Sequence, residues 1–393
     1  MDIKNLREKF FEKYGNRDEK PVLFFSPGRI NLIGEHTDYN GGYVFPCALN
    51  YGTYLCIRKT KDNKLKFSTL NFTEDENVEL KELFVNKSKK WINYPLGVIN
   101  EFLKKNVKIT GLEFLYYGDI PNGAGLSSSA SIEMVTAVAL NELFSSGIST
   151  IDLVKMSQKA ENEFVGMNCG IMDQFAVGFG KKDHAIFLNC DTLDYENVPF
   201  KLNDCSLIIT NTNKRRGLTD SKYNERRSEC DKAVELLQAY KPIRNLSELE
   251  TGEISVLVKY IKDPVVRKRA KHVISENFRV TKAIKVLKEN NIARFGELMN
   301  LSHDSLKEDY EVTGIELDTL VYEGRKLPGV IGTRMTGAGF GGCTVSIVKK
   351  DSVAGFISKL PAVYQKKTGL TPDFYQPEIG EGAGRISQYL SRT

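Results

Sequence analysis

Four ionisable side chains fall within ten residues of one another where an apolar run ends. After Val22–Phe25 the chain reads Ser26-Pro-Gly-Arg-Ile-Asn-Leu-Ile-Gly-Glu-His-Thr-Asp-Tyr-Asn-Gly-Gly42, with Arg29, Glu35, His36 and Asp38 set between glycines. Guanidinium, carboxylate and imidazole groups at that density suit a ligand rich in hydroxyls, because each makes strong hydrogen bonds to one. A solvated polar loop is the plainer explanation, and His36 taken alone favours it. A metal site is not indicated, since His184, His272 and His303 are isolated in sequence.

A second segment suits anions. Asp119-Ile-Pro-Asn-Gly-Ala-Gly-Leu-Ser-Ser-Ser-Ala-Ser131 follows an apolar strand and runs straight into the helical stretch Ile132–Phe144. Gly123 and Gly125 permit unusual backbone angles, and Ser127, Ser128 and Ser129 stand where a helix exposes unpaired N–H groups, so the segment can cradle a phosphate. A capped helix after a turn explains one serine but not three. The segment lacks the G-x-x-x-x-G-K-[ST] pattern, and its G-x-G-x-x-S spacing is not the dinucleotide fingerprint.

Two further segments fit this chemistry. Helical periodicity through Leu153, Met156 and Val165 sets Glu161 near the end of a helix, and Asp173 follows among Ile171, Met172 and Phe175. A carboxylate buried among apolar residues is either tied down structurally or functional. Beside a phosphate loop the functional reading gains weight, because phosphoryl transfer needs one carboxylate for Mg²⁺ and another for the attacking hydroxyl. Thr333-Arg-Met-Thr-Gly-Ala-Gly-Phe-Gly-Gly-Cys343 places four glycines in six positions, more than a bulged hairpin requires, which points to close backbone approach.

The elements that must position these groups are read from pattern, because no low-complexity segment, Pro-rich linker or fixed repeat marks a boundary. Strands are expected at Val22–Phe25, Leu112–Tyr117 and Ala185–Leu188, and helices near 129–145 and 152–165. The second half reads as helices Val265–Lys288 and Phe295–Tyr310, then strands Val330–Met335 and Cys343–Val348 around the second glycine loop. With 393 residues, this order predicts an α+β protein of two domains, 1–202 and 203–393, divided near Leu202 before a strand at Ser206–Thr210.

Composition narrows the partners. Hydrophobic residues at 41% and charged ones at 27% exclude a disordered or collagen-like chain. A net charge of +5 from 55 basic and 50 acidic residues is too small for a nucleic-acid footprint. The cluster Lys214, Arg215, Arg216 with Arg226 and Arg227 fits a phosphate or a solvated face equally well. Seven scattered cysteines without a C-x-x-C pair suit reduced thiols in the cytoplasm. Residues 1–20 lack a signal-peptide core, and no stretch is long and apolar enough for a membrane span, so no membrane partner is expected.

Together the three polar segments resemble the signature motifs of the GHMP kinases in order and spacing, over nearly the whole chain. Pro27 to Asn40 resembles the galactokinase form of the first motif rather than that of mevalonate or homoserine kinases. The resemblance implies a ribosomal protein S5 domain 2-like N-terminal domain and a ferredoxin-like C-terminal domain with the active site in the cleft between them. It implies ATP-dependent phosphorylation of the anomeric hydroxyl of D-galactose to α-D-galactose 1-phosphate, the first committed step of galactose catabolism.

By the same resemblance Glu35, His36, Thr37, Asp38, Gly170 and Tyr223 would bind the sugar, and Gly123, Ala124, Gly125, Leu126, Ser127, Ser128 and Ser129 would wrap the ATP phosphates. Mg²⁺ would sit on Ser129 and Glu161. Asp173 would be the catalytic base, with Arg29 its partner stabilising transition-state charge. Trp91 and Ser68 would lie on the nucleotide side. Ala124 and Ala338 stand where family members vary between Ala and Gly, which removes no functional group. An N-acetylgalactosamine kinase shares nearly the same first motif. A non-catalytic galactose sensor is the other alternative, and the complete Ser127–Ser131 run with both carboxylates weighs against it. A monomer acting on small molecules is expected.

Overall fold

A computed structural model describes residues 3–81, 83, 90–121, 123–214 and 219–386. Asn122 of the serine loop and Arg215 and Arg216 of the basic cluster lie outside the described residues. Runs of β-branched and aromatic residues pair into three sheets. In chain order the strands are β1 (Val22–Asn31), β2 (Tyr43–Val44), β3 (Pro46–Lys59), β4 (Lys64–Thr69), β5 (Glu76–Glu79), β6 (Leu112–Gly118), β7 (His184–Asn189), β8 (Tyr195–Pro199), β9 (Cys205–Asn211), β10 (Val330–Thr336), β11 (Cys343–Lys349), β12 (Asp373–Tyr375) and β13 (Gly384–Arg385). The first sheet has the order β13-β1-β3-β6-β4-β5, antiparallel except for the β4–β6 pair. The second is β10-β11-β9-β12, fully antiparallel, and β2-β7-β8 form a small third.

Helices cover these sheets as their apolar faces require. Ser128–Leu143 lays Met134, Val135 and Ala137 against β1 and β3, in one core with Leu55, Phe67 and Phe114. Ile292–Ser305 and Ile315–Arg325 pack on β10. The result is an α+β architecture in which both halves of the chain face the polar segments.

Three local features differ from the sequence expectation, and each bears on the site. β1 does not stop at Phe25 but continues through Pro27 to Asn31, so Arg29 is carried by a strand rather than a loop. Its register against β3 shifts between Pro27 and Arg29, a bulge that accommodates the proline's missing donor and re-aims the following side chain. The helix expected over 152–165 is α-helical only over Thr150–Lys159, then widens into a single π turn, Ala160–Val165, that holds Glu161. Finally, the chain's end returns to the first sheet: Phe24 pairs with Arg385 and Phe25 with Gly384, while the second sheet's β9 opens at Cys205. Among the described residues no helix is long and apolar enough to cross a membrane, and none of the seven cysteines is in a disulfide.

The long helix Pro264–Lys288 starts on an Asp263 cap with proline in its first turn. Its fully buried Glu276 accepts from the backbone N–H of Gly34 at 2.9 Å, from Arg279 at 2.6 Å and from the Ser302 hydroxyl, and so pins the first polar segment to the second half of the chain. Burial alone would raise this carboxyl, but the charges of Arg279, His272 and Arg334 hold it near 2, below the ordinary 4.5. A depressed folded-state pKa contributes stability that is present above the unfolded value and lost as pH falls toward the folded one. Glu276→Gln should therefore destabilise the protein by on the order of 3 kcal/mol at neutral pH, with the deficit in thermal midpoint shrinking below pH 4.5. A deficit that stays constant through that window would rule out the charge as its origin.

Candidate active site

The bulge in β1 sends the Arg29 side chain toward the helix Met172–Phe179, whose first turn carries Asp173. Nε and Nη2 of Arg29 donate to the two oxygens of Asp173, each at 2.7 Å, and Nη1 donates to the carbonyl of Gly125 at 2.8 Å. The backbone N–H of Arg29 donates to the Leu126 carbonyl at 3.0 Å. This close approach depends on Gly28, because a Cβ there would stand 2.7 Å from the Leu126 carbonyl oxygen. Ser127, held left-handed at φ 61° just before the helix Ser128–Leu143, turns its hydroxyl to donate to Asp173 as well. One carboxylate thus ties together the strand, the serine loop and the helix.

Two cavities adjoin this pair, and a third continues from the second. The first, about 180 Å³, is lined by Arg29, Glu35, His36, Asp38, Gly170 and Tyr223 among others, with Glu161 and Asp173 at one end. The second, about 250 Å³, is walled by the serine loop, Gly123 to Ser129, and shares Arg29, Asp173 and Ala338 with the first. The third, about 210 Å³, is lined by Thr69, Asn71, Phe72, Trp91, Tyr94 and Tyr116 and shares Ile120, Ser128 and Ser129 with the second. The three follow in a line: a polar chamber, an anion cradle and an aromatic slot, with Arg29 and Asp173 at the first junction.

Residues 8–59 match the Galactokinase galactose-binding signature, residues 93–181 the GHMP kinases N terminal domain and residues 283–366 the GHMP kinases C terminal domain. A galactokinase of Fusobacterium nucleatum is 54% identical over 388 residues, covering 98% of each chain. The chain belongs to the galactokinase family. The galactokinase of Lactococcus lactis, solved in complex with galactose, is 45% identical and aligns with a TM-score of 0.94 over 98% of this chain and 99% of its own. The mevalonate kinase of Methanococcus jannaschii, at 19% identity, shares the fold with a TM-score of 0.64 over 93% of this chain and all of its own.

Within this galactokinase fold the buried charge is uneven. Burial would lower the Arg29 guanidinium, yet the charge and hydrogen bonds of Asp173, with Glu35 and Asp38 beyond, leave it above its ordinary value. Asp38 lies deep in the first cavity while keeping part of its surface open to it. Burial, reinforced by the like charges of Asp173 and Glu35, pushes its carboxyl up to about 7. Glu161 also rises to about 7, from burial and the charge of Asp173. Next to it, fully buried Glu133 is pushed well above its ordinary range by burial and by Glu161. Gln174 Nε2 bridges the two, donating to Glu133 at 3.0 Å and to Glu161 at 2.6 Å. His36 falls to about 3 through burial and the neighbouring His272, so it enters the cavity as a neutral imidazole.

Not every residue expected at the site reaches it. Thr37 is buried with its hydroxyl donating to the carbonyls of Gly34 and Tyr43 at 2.9 and 2.8 Å, which leaves it a structural part of the turn. Ser68, within β4, hydrogen-bonds Tyr14 at 2.7 Å, while its neighbour Thr69 lines the third cavity. Ala124 and Leu126 bury their side chains in the core, so only their backbone groups can serve a ligand. Asp173 is less enclosed than its apolar neighbours suggest, keeping a quarter of its side-chain surface open. Gly170 is required where it stands, because a Cβ would overlap the Asp38 carboxylate.

Conversely, sequence reading passed over Arg334, Tyr39 and Tyr310. Glu35 accepts from Arg334 Nη1 at 3.2 Å and from the backbone N–H of Gly337 at 2.8 Å, which gives the second glycine loop its task. The available signal was an arginine inside the strand-like run Val330–Met335. The like-charge coupling around Asp173 is directly testable. In Asp173→Asn the carboxyls of Asp38 and Glu161 should both titrate below their wild-type midpoints near 7, as read by ¹³C NMR of carboxyl-labelled protein. Unmoved midpoints would show that burial alone sets them.

Proposed function

We propose that the protein transfers the terminal phosphoryl group of ATP to the anomeric hydroxyl of galactose, giving α-D-galactose 1-phosphate and ADP. The observation that carries this reading is the position of the Arg29–Asp173 pair at the junction of the polar chamber and the anion cradle. A hydroxyl held in the first cavity meets there a phosphate held in the second. Galactose would occupy the chamber, donating to Glu35 and Asp38 and contacting His36, Tyr223 and the backbone at Gly170. The triphosphate would lie against backbone N–H groups of the serine loop at the start of the helix Ser128–Leu143, with the adenine in the slot of Trp91, Tyr94 and Phe72.

In the chemical step the anomeric oxygen attacks the γ-phosphorus, its proton passes to Asp173, and the bond to the β-phosphate oxygen breaks to release ADP. Arg29, fixed between Asp173 and Gly125, stabilises the charge that develops on the transferring group, in a site already organised before reaction. We further propose that Ser129 and Glu161 hold Mg²⁺. Among the described residues no group of three or more His, Cys, Asp or Glu side chains is arranged to hold a metal alone. A site of one hydroxyl and one carboxylate fits an ion that takes its other ligands from water and phosphate. The raised pKa of Glu161 fits too, since a carboxylate crowded by Asp173 gains from a nearby cation. Bound there, Mg²⁺ would neutralise phosphate charge. The domain division near Leu202, a monomeric state and a cytoplasmic location, the last supported by seven cysteines outside any disulfide, belong to the same proposal.

A coupled ADP-release assay over a hexose panel tests the acceptor: turnover should require galactose, fall away for glucose and N-acetylgalactosamine, and vanish in excess chelator until Mg²⁺ is restored. Preference for N-acetylgalactosamine would overturn the substrate assignment. General-base assistance contributes about 10²–10⁴ in rate, so Asp173→Asn should lower kcat by at least the smaller factor while still binding galactose. Near-normal single-turnover transfer in that variant would leave Asp173 only a structural tie.

A further inference from the structure

Behind the polar chamber runs a chain of hydrogen bonds. His36 Nδ1 lies 2.8 Å from the Tyr39 hydroxyl, which lies 2.7 Å from the Tyr310 hydroxyl, which in turn lies 3.1 Å from Cys230 Sγ. Tyr310 and Cys230 come from the second half of the chain and are buried, at 0% and 1% exposure. The Tyr310 ring packs in tilted contacts against His36, centroids 4.7 Å apart, and His272, 4.5 Å apart, and its backbone carbonyl accepts from Arg226 at 2.8 Å. Across the ring from this chain, His36 Nε2 is buried at the chamber wall, which His36 and Ala338 both line, with the Ala338 backbone within hydrogen-bond reach of the imidazole.

Neutral imidazole has one N–H, so a bond at one nitrogen decides what the other nitrogen offers. Each hydroxyl in the chain also has a single proton, so all members must point the same way. The strongest acceptor is the imidazole nitrogen and the weakest is the thiol sulfur, which favours donation running from Cys230 through Tyr310 and Tyr39 to Nδ1. The ring proton is then on Nε2. That polarity complements the chamber: a sugar hydroxyl that donates to Glu35 or Asp38 still has lone pairs to satisfy.

We infer that Tyr310, acting through Tyr39, is a positioning residue for galactose recognition, holding His36 in the Nε2–H form so that it donates to a sugar hydroxyl. The inference rests on the proposal that galactose fills the first cavity, and the test separates the two. Loss of one such oriented hydrogen bond corresponds to a rise of roughly 3- to 10-fold in the galactose KM. Tyr310→Phe, which removes only the hydroxyl, should show that rise with the ATP KM unchanged. Placed on His36→Ala, it should add nothing, since the two residues then act on one contact. Should Tyr310→Phe fold poorly, Tyr39→Phe carries the same test, and Cys230→Ser, which keeps a hydroxyl at the chain's end, should retain the wild-type KM. In ¹⁵N-labelled wild-type protein the His36 proton should be found on Nε2. An equal KM rise with and without His36, no rise at all, or a proton on Nδ1 would overturn the inference. If His36→Ala itself leaves the galactose KM unchanged, the sugar-site reading fails; if only the coupling is missing, the positioning role alone falls.

Discussion

A two-pronged ion pair joins residues 144 positions apart in sequence, and the site is organised around it. Arg29 leaves a strand at a bulge and Asp173 opens a helix, so the pair sets the distance between sheet and helix as well as the charge at the junction of two cavities. The third nitrogen of the guanidinium holds the serine loop through Gly125. All five donors of a guanidinium lie in one plane, which makes it suited to fixing three elements at once in a way that an ammonium group is not. Orientation of the loop, and with it the wall of the second cavity, follows from that planarity.

Around the pair the acidic groups outnumber the nearby cations. Asp38, Glu133 and Glu161 all rise above their ordinary carboxyl range, each first from burial and then from a neighbouring carboxylate. Structural ion pairs depress such values; crowded acids raised toward neutrality mark a place where the fold tolerates unfavourable electrostatics for the sake of what binds there. Glu35 is the contrasting case. Its carboxylate is anchored by Arg334 and by the Gly337 N–H from the second half of the chain, so the wall of the first cavity is completed only when the two halves meet.

Much of this was legible in the residues themselves. Side-chain types clustered within short windows, such as Glu35 to Asp38 or Ser127 to Ser129, stand out because their chemistry is local, and both windows line cavities. Strand and helix centres followed from periodicity, as at Leu112–Tyr117 and Val265–Lys288. What stayed hidden was decided by distant partners or by backbone angle. Thr37 looked like its neighbours, yet two carbonyls claim its hydroxyl. Ser68 faces Tyr14 because strand alternation turns it from the cavity that Thr69 lines. β1 runs past Phe25 despite a proline and a glycine, because pairing with β3 outweighs their local preference. The Tyr39–Tyr310 contact spans 271 positions, and no local pattern encodes it.

The return of the chain's end to the first sheet has a consequence for biosynthesis. β1 is made well before its outer neighbour β13, which follows every strand of the second sheet in chain order. Domains usually complete themselves in order of synthesis; here the first sheet keeps an open edge until the whole second half has emerged. Unpaired edges are templates for association between chains. Until then Phe24 and Phe25 present backbone groups that the finished sheet pairs with Arg385 and Gly384, the closing stitch of that edge.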